Sequence, residues 1–393
     1  MAGTKFTQNK LEGVQVLRGL AAIFVLWNHL KFNLGQDLEK FSSVPFVGTY
    51  WGSIGVDIFF VISGFVISMT AGKFGSDWRT FMALRVARIV PLYFAASTYF
   101  LVESILSSHF GGKPMRYSGM AIFNTYAFIP VLNGHNFTDP IMPNGWTLSF
   151  EMMFYLCFAI LLAFGSIERR WFWLPAFFVT GMVINMAFTQ NGPWFFPKFL
   201  FHPMTLEFCA GCVLYHLRDR IGKTALYIMG GLGLVFLYWG HDKSEFGIHE
   251  SVMNVASFGL YRTIVCGGFA ACLVGVITQI DFKYSWKWPQ FLLLLGDASY
   301  SIYLVPAPFM MTFMIGLKVL SKFAGHDMTP PPWLYGSIYV VSSITVSIAC
   351  WKFFEMPATN FAKRFLFRFL PDKRGKENIP TAPIQPIGES VNP

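Results

Sequence analysis

The sequence predicts an all-α fold, a polytopic integral membrane helical bundle of about ten transmembrane helices with both termini in the cytoplasm. Of the 393 residues, 54% are hydrophobic and only 13% are charged. A soluble domain typically carries about 25% charged residues, so this chain has too few to cover a soluble surface of its size. The apolar residues also gather into stretches of membrane-spanning length, and the basic residues between these stretches are biased to one side.

Each predicted span is about 20 residues of mostly apolar sequence, the length that a helix needs to cross the hydrocarbon core. The stretches are 14–34, 51–71, 89–108, 145–165, 171–189, 199–217, 224–240, 255–280, 291–317 and 333–355. A further apolar patch, 120–132, is too short for a span and contains Pro130, so we expect it to be interfacial or re-entrant.

The basic residues determine the predicted orientation. With the N-terminus inside, 19 of the 30 Lys and Arg residues lie in cytoplasmic segments, eight lie on the opposite side and three lie within spans. This is the bias that the positive-inside rule expects, so we attribute the net charge of +9 to cytoplasmic loops and expect no nucleic-acid partner. The predicted organisation is a cytoplasmic segment 1–10, a transmembrane domain 11–360 and a basic, partly disordered cytoplasmic tail 361–393.

Ionisable residues inside spans are costly and often functional, which makes them the candidates for chemistry. Arg18 and His29 lie eleven residues apart in the first span, so they share a helix face at a separation of about 16 Å. Each also has an ordinary explanation. Arg18 can anchor the inner end of the span at the membrane surface, and His29 can form a hydrogen bond between helices.

Three carboxylates, Asp57, Glu151 and Glu207, fall with His29 in the predicted outer half of the membrane. An imidazole together with a carboxylate is the usual equipment for removing a proton from a hydroxyl group. We therefore predict His29, Glu151 and Asp57 as catalytic residues. The sequence does not show whether these side chains touch.

A second group, Arg79, Arg85 and Arg88, precedes the third span on the predicted inner side. The positive-inside bias alone would account for these residues. Arg85 and Arg88 would be neighbours on a helix, and guanidinium groups bind phosphate through paired hydrogen bonds, so a phosphate clamp is the second interpretation. Spacing alone favours the first interpretation.

Six segments together resemble the acyltransferase 3 family, membrane acyltransferases that modify bacterial surface and secreted glycans. The spacing of Arg18 and His29 is similar to the family's first-helix motif, and Arg85 with Arg88 resembles its arginine pair. The other four segments are GVDIFFVISGFVIS at 55–68, WTLSFEMMFY at 146–155, LGDASYSIYL at 295–304 and FFEMPATN at 353–360. The second of these has Thr147 where the family pattern has Ser, and the resemblance covers most of the chain.

The resemblance implies transfer of an acyl group, most often acetyl, from acyl-CoA to a sugar hydroxyl of an exopolysaccharide, a lipopolysaccharide or a lipid-linked glycan at the bacterial inner membrane. It implies that His29 is the base and that Arg18, Arg85 and Arg88 bind the phosphates of the donor. The expected partners are acyl-CoA, the glycan and the lipid bilayer, with no permanently bound cofactor and no metal. The residues that we expect to bind substrate are Trp146, Ser149 and Glu207.

Two mechanisms and two other functions stay open at this point. A direct reaction needs only proton transfer from the acceptor hydroxyl to His29, whereas a two-step reaction through an acyl-enzyme needs a nucleophile, and none stands out in the sequence. The main alternative function is a proton-coupled transporter or flippase for a glycan or lipid intermediate, because buried His, Asp and Glu residues also build proton relays. The two halves of the chain do not repeat each other as transporter halves often do. A non-catalytic scaffold would leave the buried titratable residues unexplained.

Overall fold

The computed structural model describes residues 11–33, 53–112, 114–133, 136–138, 140–164, 171–188, 195–241, 256–284, 286–326 and 330–370. These residues form a bundle of helices together with one pair of three-residue antiparallel strands, β1 (Val131–Asn133) and β2 (Asn136–Thr138). Val131 pairs with Thr138 at one end of this ladder. The predicted helical membrane class is therefore confirmed for the described part of the chain, and the strand pair is a small addition to it.

The helices differ widely in length, from 6 residues to 34 residues. In chain order they are α1 (Glu12–Asn33), α2 (Ile54–Ala71), α3 (Trp78–Gly111), α4 (Gly119–Tyr126), α5 (Gly145–Ala163), α6 (Trp173–Phe188), α7 (Phe195–Leu200), α8 (Thr205–Leu217), α9 (Lys223–His241), α10 (Ala256–Arg262), α11 (Gly268–Tyr284), α12 (Gln290–Asp297), α13 (Ser299–Leu304), α14 (Pro306–Ala324), α15 (Pro332–Cys350) and α16 (Met356–Phe367). A short 3₁₀ turn, Arg218–Arg220, follows α8.

Seven helical segments in the described residues are long and apolar enough to cross a membrane. They are Glu12–Leu30, Ile54–Ala71, Trp78–Phe110, Gly145–Ala163, Gly259–Lys283, Pro306–Ala324 and Leu334–Phe367. Two shorter apolar helices, Trp173–Ala187 and Lys223–Trp239, coincide with two more of the predicted spans. The short patch at 120–132 contains only the eight-residue helix α4 and part of β1. The number of ten spans and the orientation of the termini stay predictions.

The third helix begins eleven residues earlier than the hydropathy pattern predicts. Asp77 caps α3, because its side chain accepts a hydrogen bond from the backbone N–H of Thr80 at 3.1 Å. A capping acid of this kind determines where a helix starts, whereas a hydropathy window rejects the arginine-rich turns that follow. Arg85 and Arg88 consequently lie inside α3 and not in the segment before it.

Two predicted spans are broken into shorter helices. The stretch 291–317 contains α12, α13 and the first part of α14, and Pro306 is the first residue of α14. The stretch 199–217 contains the end of α7 and all of α8, with Pro203 in the break between them. Proline lacks a backbone N–H and clashes with the preceding turn, so both breaks fall where a continuous helix would be strained.

Helix α2 lies in the centre of the bundle, with 13 of its 18 residues buried. It packs closely on α8 through two glycines. A Cβ atom on Gly64 would overlap the carbonyl oxygen of Phe208, and one on Gly211 would overlap the carbonyl oxygen of Val61. Small residues allow helix backbones in a membrane to approach closely, and this contact fixes the direction in which the other side chains of α2 point.

Two π-helical turns interrupt long helices. Thr263–Gly267 joins α10 to α11 directly after Arg262, and Trp351–Glu355 joins α15 to α16. Turns of this kind widen the helix by one residue and occur frequently at functional sites. The second turn ends at Glu355, and α16 then continues past residue 360, the predicted end of the transmembrane domain. Residues 371–393 of the predicted tail lie outside the described residues.

Candidate active site

A pocket with about 890 Å³ of empty space, its open mouth included, lies between α1, α2, α3, α5 and α13. Its lining includes Arg18, Arg85, Arg88 and Glu151. The apolar wall comes mainly from one face of α2, and the other polar groups come from α5 and α13. A concave site of several hundred Å³ with a few convergent polar groups is typical of small-molecule binding.

Two of the three arginines of the pocket, Arg18 and Arg85, are held by neutral groups. Arg85 donates from Nη2 to Thr70 Oγ1 at 3.1 Å, and its guanidinium lies 5.3 Å and 5.4 Å from the ring centres of Phe81 and Tyr155. Within the described residues, none of Arg18, Arg85 and Arg88 has a carboxylate oxygen within 4.0 Å. The guanidinium groups of Arg18 and Arg85 are therefore fixed in place while their charge stays available to an anion.

A short chain of side chains positions Arg18. Its Nη1 donates to Gln15 Oε1 at 3.4 Å, and the buried Gln15 donates from Nε2 to the carboxylate of Asp297. Asp297 belongs to the LGDASYSIYL segment at 295–304. Neither Gln15 nor Asp297 was predicted as a site residue, since nothing in the sequence shows that α1 contacts α12.

Two carboxylates face this group of arginines. Glu151 Oε1 accepts a hydrogen bond from Ser63 Oγ at 3.1 Å and another from the hydroxyl of Tyr155. Glu355 is buried, accepts from Ser301 Oγ at 2.6 Å and interacts electrostatically with Arg18 and with Arg88. The three guanidinium groups and the two carboxylates together give this site a net positive charge. Glu355 lies in the segment FFEMPATN, which carries part of the family resemblance, but it was not predicted as a site residue.

A hydrogen-bonded cluster lies in the pocket lining near the start of α5. Thr147 Oγ1 and the Tyr303 hydroxyl, both in the lining, lie 2.7 Å apart. The Tyr303 hydroxyl also lies 3.1 Å from the carbonyl oxygen of Asn144, and Asn144 Nδ2 donates to the carbonyl oxygen of Tyr303 at 3.0 Å. Phe59 packs edge-on against the Tyr303 ring at 5.8 Å.

Asp57 and Glu207 belong to a different site from Glu151. Asp57 Oδ2 forms a 2.6 Å ion pair with Arg262, which also donates to the carbonyl oxygen of Ser53 at 3.2 Å. Glu207 is buried and interacts electrostatically with Asp57 and Arg262. None of these residues lines the pocket. The structure therefore divides the predicted layer of titratable residues into two groups, and Ser63 lies about 9 Å further along α2 than Asp57.

The comparisons with known proteins agree with this geometry. The model of an acyltransferase domain family matches residues 11–352. The chain belongs to this acyltransferase family. It is 27% identical over 320 residues to the exopolysaccharide production protein ExoZ of Rhizobium meliloti (strain 1021), a match that covers 78% of this chain and 89% of that protein. No solved structure matches the chain.

His29 of this membrane acyltransferase lies outside the pocket lining. It is partly buried, and its Nδ1 lies 2.7 Å from the carbonyl oxygen of Val25. Because a carbonyl oxygen can only accept, Nδ1 carries the hydrogen, and in the neutral ring Nε2 is then the basic nitrogen. This tautomer suits a general base, but the role of His29 stays a prediction.

Two other predicted residues of the acyltransferase also lie away from the pocket. Trp146 packs edge-on against Phe150 with 6.3 Å between the ring centres, and Ser149 is buried. Neither lines the pocket, whereas Thr147, Leu148, Glu151 and Tyr155 of the same helix do. Helical periodicity could have separated the two sets, because Thr147, Glu151 and Tyr155 are spaced four residues apart and share one face.

Proposed function

We propose that this membrane acyltransferase transfers an acyl group, most simply acetyl, from cytoplasmic acyl-CoA to a sugar hydroxyl of an extracellular or lipid-linked glycan. The observation that carries the proposal is the pocket that contains Arg18, Arg85 and Arg88 without carboxylate partners within ion-pair distance in the described residues. The proposed enzyme acts at the bacterial inner membrane, where acyl-CoA is supplied from the cytoplasm.

The pocket suits a donor that carries phosphates at one end and a thioester at the other. Guanidinium groups bind phosphate oxygens through paired, charge-assisted hydrogen bonds. Thr70, which accepts a hydrogen bond from Arg85, and Val56, which lines the pocket, lie fourteen residues apart on α2, or about 21 Å. An extended pantetheine arm is roughly 20 Å long at standard bond lengths. A donor with its phosphates at the arginines can therefore lie along α2 with its thioester inside the pocket.

The relative supports the class of acceptor. ExoZ is described as an exopolysaccharide production protein, and the match covers most of both chains. A sugar hydroxyl of an exopolysaccharide is accordingly the acceptor that we propose first, and a lipopolysaccharide hydroxyl is the second. His29, near the end of α1, is the proposed base on the acceptor side, because its Nε2 is the basic nitrogen in the neutral ring.

An ester assay on secreted and surface polysaccharide tests this function. Cells that lack the gene would receive the wild-type protein, His29→Ala or an empty vector, with the amount of inserted protein measured in parallel. We expect base-labile acyl groups to disappear without the gene, to return with the wild type and to stay absent with His29→Ala. Normal ester content in the His29→Ala cells would remove this residue from the reaction.

The same experiment separates the acyltransferase from the transporter. A transporter moves an unmodified solute, so its loss would change glycan export or the amount of lipid-linked intermediate while the ester content per sugar stayed the same. Unchanged ester content in cells without the gene would therefore refute the proposed reaction and favour a proton-coupled transport function for the buried titratable residues.

A further inference from the structure

Ser63 and Glu151 form a hydroxyl–carboxylate pair inside the pocket. Ser63 Oγ lies 3.1 Å from Glu151 Oε1, and both side chains belong to the lining. A nucleophile within about 2.6–3.2 Å of a base, with the base oriented by a third group, is the usual arrangement for covalent catalysis. We propose that Ser63 is the nucleophile that first accepts the acyl group, with Glu151 as its base. This inference rests on the function proposed above.

The Ser63 hydroxyl donates to a carboxylate on a different helix, as the Ser301 hydroxyl does to Glu355 outside the pocket lining. Hydroxyl side chains in apolar helices commonly donate to the carbonyl oxygen one turn earlier. Thr70 donates to Val66 at 2.9 Å, Thr125 to Ala121 at 2.8 Å, and Ser342 to Ile338 at 2.6 Å. Ser63 instead donates across the pocket to a carboxylate on a different helix. Its hydroxyl is held in the pocket by the Glu151 carboxylate and does not donate to the backbone carbonyl one turn earlier in α2.

The base is itself held in position. The Tyr155 hydroxyl donates to the same oxygen of Glu151, and the Tyr155 ring lies 5.4 Å from the Arg85 guanidinium. On the other side, α2 is fixed against α8 by the adjacent Gly64. The pair is therefore oriented by packing on both helices, which is the condition under which a weak nucleophile can be activated.

The other candidate nucleophiles of the pocket are less suitable. None of the six cysteines lines it. The Thr147 hydroxyl contacts Tyr303 and the carbonyl oxygen of Asn144, and the Tyr300 hydroxyl donates to the carbonyl oxygen of Ile89 at 2.7 Å. Tyr155 shares the base, but its ring is buried between α3 and α5 beside Arg85. Ser63 is the hydroxyl that combines a base with an open pocket.

The proposed reaction has two balanced steps. In the first step Ser63 Oγ attacks the thioester carbonyl carbon, Glu151 takes the hydroxyl proton, the carbon–sulfur bond breaks, and the coenzyme A thiolate leaves with the proton from Glu151. In the second step the acceptor hydroxyl attacks the Ser63 ester and gives its proton to His29, the bond from carbon to Oγ breaks, and that proton returns through Glu151 to Oγ. No oxidant, reductant or other co-reactant is needed.

Trapping the acyl-enzyme tests the proposal. The purified full-length protein would be incubated with acetyl-labelled acetyl-CoA and no acceptor, quenched in acid, digested and analysed by mass spectrometry, with released coenzyme A measured in parallel. We expect up to one acetyl group per protein, located on Ser63. Ser63→Ala should carry no label there. Glu151→Gln should be labelled more slowly by at least about 100-fold, the usual effect of losing a general base.

Two further variants control for folding. Ser68→Ala removes a buried hydroxyl from the same helix outside the pocket and should be labelled like the wild type. Ser63→Cys keeps a nucleophile, and its label should become a thioester that hydroxylamine cleaves rapidly. A label that persists in Ser63→Ala, or that maps to Tyr155 or His29, would overturn the proposal.

The outcomes also separate this inference from the function on which it rests. If the wild type restores glycan esters in cells but gives neither label nor released coenzyme A without acceptor, Ser63 is not acylated and the direct reaction takes its place. If the wild type neither becomes labelled nor restores glycan esters, the proposed acyl transfer itself has failed.

Discussion

Replacing Arg85 by Ala is expected to weaken the binding of coenzyme A to this protein by about 10- to 150-fold. Arg85 lines the pocket, its guanidinium is fixed between the rings of Phe81 and Tyr155, and it has no carboxylate within ion-pair distance in the described residues. A side chain that is held in place without a counter-ion is prepared for an anionic ligand, because binding costs it little side-chain ordering.

The magnitude follows from the contact that would be lost. A hydrogen bond to a charged group contributes about 1.5–3 kcal/mol, and each 1.4 kcal/mol corresponds to a tenfold change in Kd. Arg85→Lys should lie between the wild type and Arg85→Ala. It keeps the positive charge but loses the paired donors and the flat contact with the two aromatic rings.

The assay is equilibrium binding of coenzyme A to the purified protein, by calorimetry or by displacement of a fluorescent analogue. Arg79→Ala is the matched control, because Arg79 lies on the same helix and carries the same charge but is exposed and outside the pocket. Its Kd should change by about twofold or less, since substitutions of exposed residues usually alter free energies by no more than about 0.5 kcal/mol.

Two results would refute this reasoning. If Arg85→Ala bound coenzyme A as tightly as the wild type, Arg85 would belong with the ordinary basic residues of the inner side. If Arg85→Ala and Arg79→Ala weakened binding equally, the effect would come from the total charge of that surface and not from the pocket.

Two further predictions concern the packing that supports the site. Gly64→Leu should reduce the yield of monodisperse protein and lower its thermal midpoint, because the new side chain collides with the backbone of Phe208. Gly72→Leu, where a Cβ meets nothing within 4 Å, should leave both unchanged, and equal losses would contradict the packing argument. Asp57→Ala should destabilise the protein by about 3–5 kcal/mol, because it leaves the Arg262 charge buried without its partner. The thermal midpoint should recover at least in part in Asp57→Ala with Arg262→Leu, and a double variant no more stable than the single one would show that the ion pair is not the cause.

Hydropathy predicted the class of the fold and most of the helices, but not where helices begin or break. The start of α3 depends on the hydrogen bond between Asp77 and the Thr80 N–H, which is local chemistry that a 20-residue average does not detect. The break before Pro306 follows from the missing proline N–H, a signal that was present in the sequence and that the apolar average concealed.

The three predicted donor-binding arginines line one pocket, whereas the partners of the acids could not be predicted. Arg18, Arg85 and Arg88 come together as the resemblance implied. The partner of Asp57 is Arg262, more than 200 residues away in the chain, and its side chain reaches Asp57 from the residue just before a π turn. Hydrophobic periodicity carries no information about which helices are neighbours or about a one-residue widening of a helix, so the sequence could not pair these groups.

One face of α5 runs along the pocket and contacts Arg85, Ser63 and Tyr303 in turn. Thr147, Glu151 and Tyr155 follow each other at intervals of four residues and all line the pocket. Tyr155 contacts the Arg85 guanidinium, Glu151 accepts from Ser63, and Thr147 contacts the Tyr303 hydroxyl.

The spacing along this face indicates which contact an entering acceptor would have to replace. Along the α5 axis Thr147 is only about 6 Å from Glu151, so an acyl group on Ser63 would lie about one helical turn from the Thr147–Tyr303 hydrogen bond. If the proposed acceptor hydroxyl approaches from this side, it would replace the Thr147–Tyr303 hydrogen bond without separating α2 from α5. A hydroxyl group can take over that hydrogen bond as it enters, so this approach would cost little net hydrogen-bond energy.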